Sequence, residues 1–212
     1  MNLFSARNAL LSTALTILAI ALPIPSMAQW NYVRPRNGEP FATAGIYHTG
    51  DFYKRAAGAG LGLMVNFGRT SNIFNVSIGA EYVEYICEDP RPEDLRGKLP
   101  FIGGGGQVVF PAFLKMQLFP TSSWTKFYIG CGCEAGLKVY ESNVLRNYYE
   151  YREAFRKNSF AIVPIIGWRM RNVDFGFYYK HYTSKPFNHT LDGRKNLGEE
   201  KARIGYHLTC YF

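Results

Sequence analysis

The sequence predicts an all-β fold: an eight-stranded antiparallel up-and-down transmembrane β-barrel. Three observations lead to this prediction. Apolar and polar residues alternate with a period of two in eight segments, short and long connections alternate along the chain, and aromatic residues collect near both ends of the segments. Aromatic residues make up 16% of the chain and there are 21 glycines, a composition typical of strands that meet an interface.

The N-terminal residues have the features of a secretory signal peptide. Arg7 supplies the positive start, residues 9–22 are apolar, and small residues up to Ala28 offer a cleavage site. The apolar stretch is too short to span a bilayer as a helix, and no apolar run of ~18 residues follows it. We therefore expect export with cleavage of the signal peptide and an outer-membrane location. The predicted boundaries are 1–28 for the signal peptide, 29–40 for a periplasmic N-terminal segment and 41–212 for the barrel.

The clearest predicted strand covers residues 127–139. Its apolar face is Phe127, Ile129, Cys131, Cys133, Ala135, Leu137 and Val139, and its other face is Tyr128, Gly130, Gly132, Glu134, Gly136 and Lys138. Because Pro164 cannot donate a ladder hydrogen bond, it predicts a bulge in its own segment. The other seven segments are 41–49, 58–67, 73–82, 107–119, 159–170, 173–182 and 202–212.

The connections alternate in length. Tight turns are predicted at 68–71, 120–123 and 169–172, a moderate connection at 50–56, and long loops at 86–106, 141–158 and 184–201. In an up-and-down barrel all tight turns then lie at one end and all long loops at the other, as transmembrane barrels show. The long loops would carry any recognition.

Two groups of aromatic residues predict girdles at the two membrane surfaces, where amphipathic rings prefer to lie. The group near the tight turns is Phe67, Phe119, Trp124, Phe127, Trp168, Phe175 and Phe212, and the group near the long loops is Tyr82, Tyr85, Tyr140, Tyr179 and Tyr182.

The composition of the polar face distinguishes a membrane barrel, which has lipid outside, from a soluble barrel, which has water outside. A soluble, lipocalin-like barrel would turn its apolar face inward and show Thr, Lys and Glu on its exterior, whereas the polar face here is mostly Gly, Tyr and Asn. We therefore predict lipid outside, and an interior filled by side chains with no wide diffusion pore. Charges of both signs on the polar face would pair across the interior: Glu81, Glu134 and Asp174 against Lys115, Lys180 and Arg203.

The chain is basic. Its formal net charge is +8, and without Arg7 of the signal peptide the balance is 23 − 16 = +7. An exported protein rarely meets nucleic acid, so no nucleic-acid partner is expected. Positive clusters at 91–98, 146–157 and 185–201 are either solvated loops or contacts for anionic lipid headgroups and lipopolysaccharide.

No catalytic, cofactor-binding or metal site is predicted, and no cofactor is expected. The histidines His48, His189 and His207 lack ligand-like spacing, and residues 103–106, four glycines, predict a flexible loop more readily than a phosphate nest. The thiols of Cys131 and Cys133 lie side by side on one strand face and cannot easily bridge. We therefore expect unpaired cysteines at all four positions: Cys87, Cys131, Cys133 and Cys210.

Three segments resemble the small eight-stranded outer-membrane barrels of the OmpA/OmpX-like type, and look closest to the outer membrane protein beta-barrel group that includes the PorT-like proteins. They are Val109-Phe-Pro-Ala-Phe-Leu-Lys115, Phe127-Tyr-Ile-Gly-Cys-Gly132 and the terminal Phe212. The resemblance covers about 41–212. It implies an integral, monomeric barrel that contacts outer-membrane lipids and lipopolysaccharide. It also implies recognition by barrel-insertion machinery through a C-terminal strand ending at Phe212.

The sequence thus predicts a non-enzymatic barrel with a structural or surface-interaction role. One alternative is a lipid A-modifying enzyme, since residues 180–184 faintly resemble the His and Ser of barrel deacylases. His181 would lie on the apolar face, with Thr183 two residues on and Ser184 off that face, and a hydroxyl nucleophile needs an oriented His. The other alternative is an accessory component of an outer-membrane secretion machine.

Overall fold

The computed structural model is a closed barrel of eight antiparallel strands, in which each strand pairs with its chain neighbours and the last pairs with the first. The predicted all-β, eight-stranded fold is confirmed. The structure describes residues 40–52, 56–69, 73–88, 101–119, 125–142, 155–170, 172–187 and 202–212. The strands are β1 (Pro40–Phe52), β2 (Ala56–Arg69), β3 (Phe74–Glu88), β4 (Phe101–Phe119), β5 (Thr125–Glu141), β6 (Asn158–Met170), β7 (Val173–Ser184) and β8 (Ala202–Tyr211).

The N-terminal predictions fall outside these ranges. The predicted signal peptide, 1–28, and nearly all of the predicted periplasmic segment, 29–40, lie outside the described residues, and Pro40 already begins β1. Within the described part of the chain, no helix is long and apolar enough to cross a membrane.

Three of the four connections at one end of the barrel, the long-loop end, are long, as the alternation of connections predicts, whereas the first connection at that end is as short as the turns at the other. At that other end, the short-turn end, residues 70–73, 120–124 and 171–172 join the strands. At the long-loop end, the connections are 53–55, 89–100, 142–157 and 185–201. The first of these is shorter than the predicted 50–56, because β1 and β2 stay paired as far as Asp51 and Gly58.

Each strand turns its apolar face outward. Leu63 of β2 is 60% exposed, whereas its neighbour Met64 is 1% exposed. The predicted orientation of the faces is therefore confirmed, and the interior contains the polar side chains. Outward apolar residues occur on six further strands, including Ile78, Leu114, Leu137, Ile162, Ile166, Phe177 and Ile204.

Glycines on β2 make room for large side chains inside the barrel. Gly58, Gly60 and Gly62 face the interior. A Cβ at Gly58 would lie 2.8 Å from the Tyr85 ring, and one at Gly60 would collide with Glu81. The space that side chains on β2 would need is therefore taken by side chains of β3.

Two local predictions are wrong. Gly103–Gly106, predicted as a flexible loop, belong to β4 and pair with Glu84–Cys87 of β3. Pro164, predicted to mark a bulge, pairs with Cys131 in an unbroken β5–β6 register. The β6–β7 ladder only skips Val163 and Pro164, and its register shift lies between Phe160 and Ala161. The missing N–H of Pro164 thus interrupts pairing without inserting a residue.

A bulge near the long-loop end redirects a tyrosine. Gly106 pairs with Tyr140 but Gln107 pairs with Lys138, so Val139 is an extra residue on β5. Such a bulge changes the side of the sheet on which the following residues lie. Tyr140 is consequently exposed on the outside, where its hydroxyl donates to Glu84, as does the hydroxyl of Tyr82 at 2.6 Å.

We expect Gly62→Ala to destabilise the barrel by about 1–3 kcal/mol, the usual cost of overpacking. A Cβ there would lie 2.7 Å from Glu81 Cβ and closer still to the backbone of β3. Gly136→Ala is the matched control, since the atoms nearest to its Cβ would belong to the Ser159 side chain and, at 3.1 Å, to the Gln107 side chain, and both side chains can move. Urea unfolding in detergent micelles measures the difference. Equal unfolding midpoints for the two variants would contradict this account of the interior.

Candidate functional site

Most of the charged side chains inside the barrel form two clusters at different heights. The inner charge cluster lies toward the short-turn end and consists of Lys115, Tyr128, Asp174 and His207. The outer charge cluster lies toward the long-loop end and consists of Asp51, Glu81, Glu134, Lys180 and Arg203.

The inner charge cluster is centred on Asp174. Lys115 Nζ lies 2.5 Å from Asp174 Oδ2, and the Tyr128 hydroxyl donates to Asp174 Oδ1. His207 Nε2 is 2.8 Å from the Tyr128 hydroxyl, and the imidazole stacks against the ring of Tyr178. One cation and one anion are thus held together by hydrogen bonds, the arrangement in which a buried ion pair is tolerated.

The outer charge cluster joins five strands, β1, β3, β5, β7 and β8. Lys180 Nζ contacts Glu134 Oε2 at 2.8 Å and Asp51 Oδ1 at 3.4 Å. Arg203 Nη1 contacts Asp51 Oδ2 at 3.3 Å, and the Tyr178 hydroxyl donates to Asp51 Oδ1. Glu81 accepts a hydrogen bond from Thr49, at 2.6 Å. Asp51 is therefore the shared partner of both cations.

Aromatic rings cover the outer charge cluster at the long-loop end. Phe155 lies at the end of the connection 142–157 and Phe187 near the start of the connection 185–201; the two residues form an isolated β-bridge and are at most 1% exposed. The Arg203 guanidinium lies 5.0 Å from the Phe187 ring centroid and 4.8 Å from that of Tyr85, within cation–π range. We call Tyr85, Phe155 and Phe187 the aromatic cap, because they fill the barrel above Arg203.

His181 lies outside the barrel, on the apolar face where the sequence places it, and is exposed. The structure does not bring the neighbouring hydroxyls to it. Thr183 Oγ1 donates to Phe160 O and Ser184 Oγ to Asn158 O, each at 3.4 Å. Both hydroxyls therefore bond to main-chain carbonyls of the β6 segment.

The remaining histidines and the cysteines are dispersed. His48 lies outside, with Nδ1 2.7 Å from Gly60 O and Nε2 3.1 Å from the Tyr206 hydroxyl. His189 is outside the described residues. The four cysteines are free: Cys131 and Cys133 are exposed on the outer surface, Cys210 is half-buried and Cys87 is buried. Among the residues that the structure describes, no three His, Cys, Asp or Glu side chains converge as a metal site requires.

Pairing of charges across the interior, predicted from the alternation, is confirmed for Lys115 with Asp174 and for Lys180 with Glu134. The sequence prediction missed Asp51, because it was assigned to a connection, although it continues the inward series of Tyr47 and Thr49. Tyr85 and Tyr182, predicted for the outer girdle, are instead buried inside. When the period of two is continued to the ends of β1, β3 and β7, it places Asp51, Tyr85 and Tyr182 inside the barrel.

We expect Lys115→Met to lower the free energy of unfolding by about 3 kcal/mol, because it leaves Asp174 as a buried anion without its cation. Adding Asp174→Asn should recover part of this loss. The control is Lys157→Met, which removes the same charge from an exposed residue and should cost less than about 0.5 kcal/mol. Urea unfolding of the four proteins gives the comparison, and a loss no larger than that of the control would refute a supporting role for this pair.

No family model and no curated protein matches this chain. What the protein does must therefore be inferred from its own residues: an apolar outer surface, a filled and charged interior, and three long connections at one end.

Proposed function

We propose that this chain is a non-enzymatic integral β-barrel protein of an outer membrane that acts through its long connections. The single observation that supports this proposal most is the inverted distribution of side chains: apolar residues cover the outside and charged residues are enclosed. In water this arrangement would be unfavourable, since burial of apolar surface drives folding. Against hydrocarbon it is favourable.

The height of the apolar surface supports the proposal. On β5 the outward apolar residues run from Phe127 to Val139, and 139 − 127 = 12 residue steps. At ~3.3 Å per residue and a strand tilt near 40°, each step adds about 2.5 Å of height. The band is then about 30 Å tall, comparable with the ~25 Å apolar band of transmembrane barrels.

Closure supports it as well. Hydrocarbon offers no hydrogen-bond partner to the backbone, so only a sheet without open edges can cross it. The pairing of β8 with β1 removes the edges. Exposed rings lie near both ends of the band, Phe67, Phe74 and Phe127 toward the short-turn end and Tyr82, Tyr140 and Tyr179 toward the long-loop end.

A role at the surface follows from the filled interior. The two charge clusters and the aromatic cap occupy the barrel, so diffusion through it is a poor explanation of its function. The connections 89–100, 142–157 and 185–201 join strands on one side only. Binding of a ligand, a lipid headgroup or a protein partner is therefore proposed for that side.

We expect the protein to fractionate with outer membranes and to migrate differently on gels before and after heating, because a closed barrel resists detergent until it is heated. A protein recovered from the soluble fraction, with no shift on heating, would overturn the proposal.

The native thiols test which solvent meets the outer surface. In a variant with Cys87→Ser and Cys210→Ser, only the outward Cys131 and Cys133 near mid-height remain. We expect a charged, water-soluble maleimide to label them at least tenfold more slowly in membranes than after unfolding. Lys157→Cys in a cysteine-free background is the exposed control and should label quickly in both states. Fast labelling of Cys131 and Cys133 in intact membranes would show that the apolar outer surface faces water, and would contradict the proposal.

The absence of an enzymatic role is tested at His181. We expect overexpression of the wild type and of His181→Ala to leave the same lipid A species in the host membrane, measured by mass spectrometry. A change produced by the wild type and abolished in His181→Ala would instead establish a lipid-modifying activity.

A further inference from the structure

The outer charge cluster contains unequal numbers of opposite charges. Three carboxylates, Asp51, Glu81 and Glu134, face two cations, Lys180 and Arg203, and each of the five residues is at most 4% exposed. Further along β5, Lys138 and Glu141 pair with each other at 3.6 Å, so they do not change the balance. One negative charge in the enclosed interior is left over, and an uncompensated buried ion is costly.

The contacts identify Glu81 as the surplus carboxylate. Both cations contact Asp51, and Lys180 also holds Glu134 at 2.8 Å. Glu81 has Thr49 as the donor to Oε2, at 2.6 Å. Among the described residues, Glu81 Oε1 and Glu134 Oε1 have no hydrogen-bond partner. Two acceptors without a donor, in a cluster with an excess negative charge, indicate that a positive species belongs in this cluster.

We propose that the outer charge cluster is a proton-binding site, in which Glu81 is held as the neutral acid and donates its Oε1–H toward Glu134 Oε1, directly or through one water. The three carboxylates, the two cations and the proton then give the cluster a net charge of −3 + 2 + 1 = 0. A single proton also supplies the donor that both oxygens lack. The proposal goes beyond the proposed function, and it holds whether lipid or detergent surrounds the barrel.

A metal ion fits the cluster less well than a proton. Hard cations take about six oxygen ligands, and the described residues bring no three His, Cys, Asp or Glu side chains together for one. A proton needs one donor bond and one acceptor. The titratable and charged groups that face Glu81 are Tyr47, Asp51, Glu134 and Lys180. The rest of the outer charge cluster is lined by Tyr85 on β3, Tyr178 and Tyr182 on β7, and Arg203 on β8.

Infrared difference spectroscopy at neutral pH tests the proton directly. We expect the folded wild type in micelles to show the C=O stretch of one protonated carboxyl, and Glu81→Gln to lose it. Glu134→Gln should lose it too, because Asp51 and an ionised Glu81 then balance the two cations. Glu141→Gln, which removes a carboxylate that pairs with Lys138, is the control and should retain the band. A wild type without the band overturns the proposal.

Stability distinguishes Glu81 from Glu134 as the site of the proton. Glutamine has the shape of the neutral acid, so Glu81→Gln should keep the folding equilibrium constant within about twofold of the wild type. Glu134→Gln removes a contact to Lys180 and should lower it by roughly tenfold or more. A Glu81→Gln protein that fails to fold, or is destabilised as much as Glu134→Gln, refutes the assignment.

An ion-replacement experiment distinguishes a bound proton from a bound monovalent metal cation. Replacing all Na⁺ and K⁺ by N-methylglucamine should leave the unfolding midpoint of the wild type unchanged. A midpoint that falls in N-methylglucamine and recovers with Na⁺ or K⁺ would mean that a metal cation neutralises the cluster, and the proton site would be rejected.

Discussion

The narrow interior of a closed eight-stranded sheet is the constraint on which this structure depends. Closure gives every strand two paired edges, but it also leaves room inside for side chains only. Once the apolar faces turn outward, every charge on the other face is enclosed and must be neutralised by its neighbours. The positions of Lys115 and Asp174, and of Lys180 and Glu134, follow from that requirement.

Inward-facing glycines leave the space that these charged side chains occupy inside the barrel. The interior face of β2 carries no side chain at Gly58, Gly60 and Gly62, and Glu81 and Tyr85 of β3 occupy the space. Glycine normally destabilises a strand. Here the destabilisation is offset because hydrogen bonds on both edges of the strand hold the backbone in place. The glycines of β4 follow the same rule: a Cβ at Gly105 would lie 2.6 Å from the Phe155 ring of the aromatic cap.

The number of strands, their directions and the outward or inward orientation of each strand face could be predicted from the sequence, because a period of two is a local property of each segment. The ends of the strands and the positions of the bulges could not. Gly103–Gly106 have no alternation to reveal a strand, and their pairing with β3 is a long-range contact. The bulge at Val139 depends on the register between β4 and β5. Asp51 was missed for the same reason, and with it the centre of the outer charge cluster.

The outer charge cluster and the aromatic cap connect the interior to the long connections. Arg203 contacts Asp51 below and the rings of Tyr85 and Phe187 above. Phe187 bridges to Phe155, and the Arg156 N–H donates to Pro186 O at 2.8 Å. One end of each of two long connections is thus held against the same guanidinium that neutralises Asp51. One continuous set of contacts therefore links the charge balance inside the barrel to the position of the chain at the long-loop end. A substitution in the outer charge cluster should change the conformation of the long connections, and the reverse should also hold.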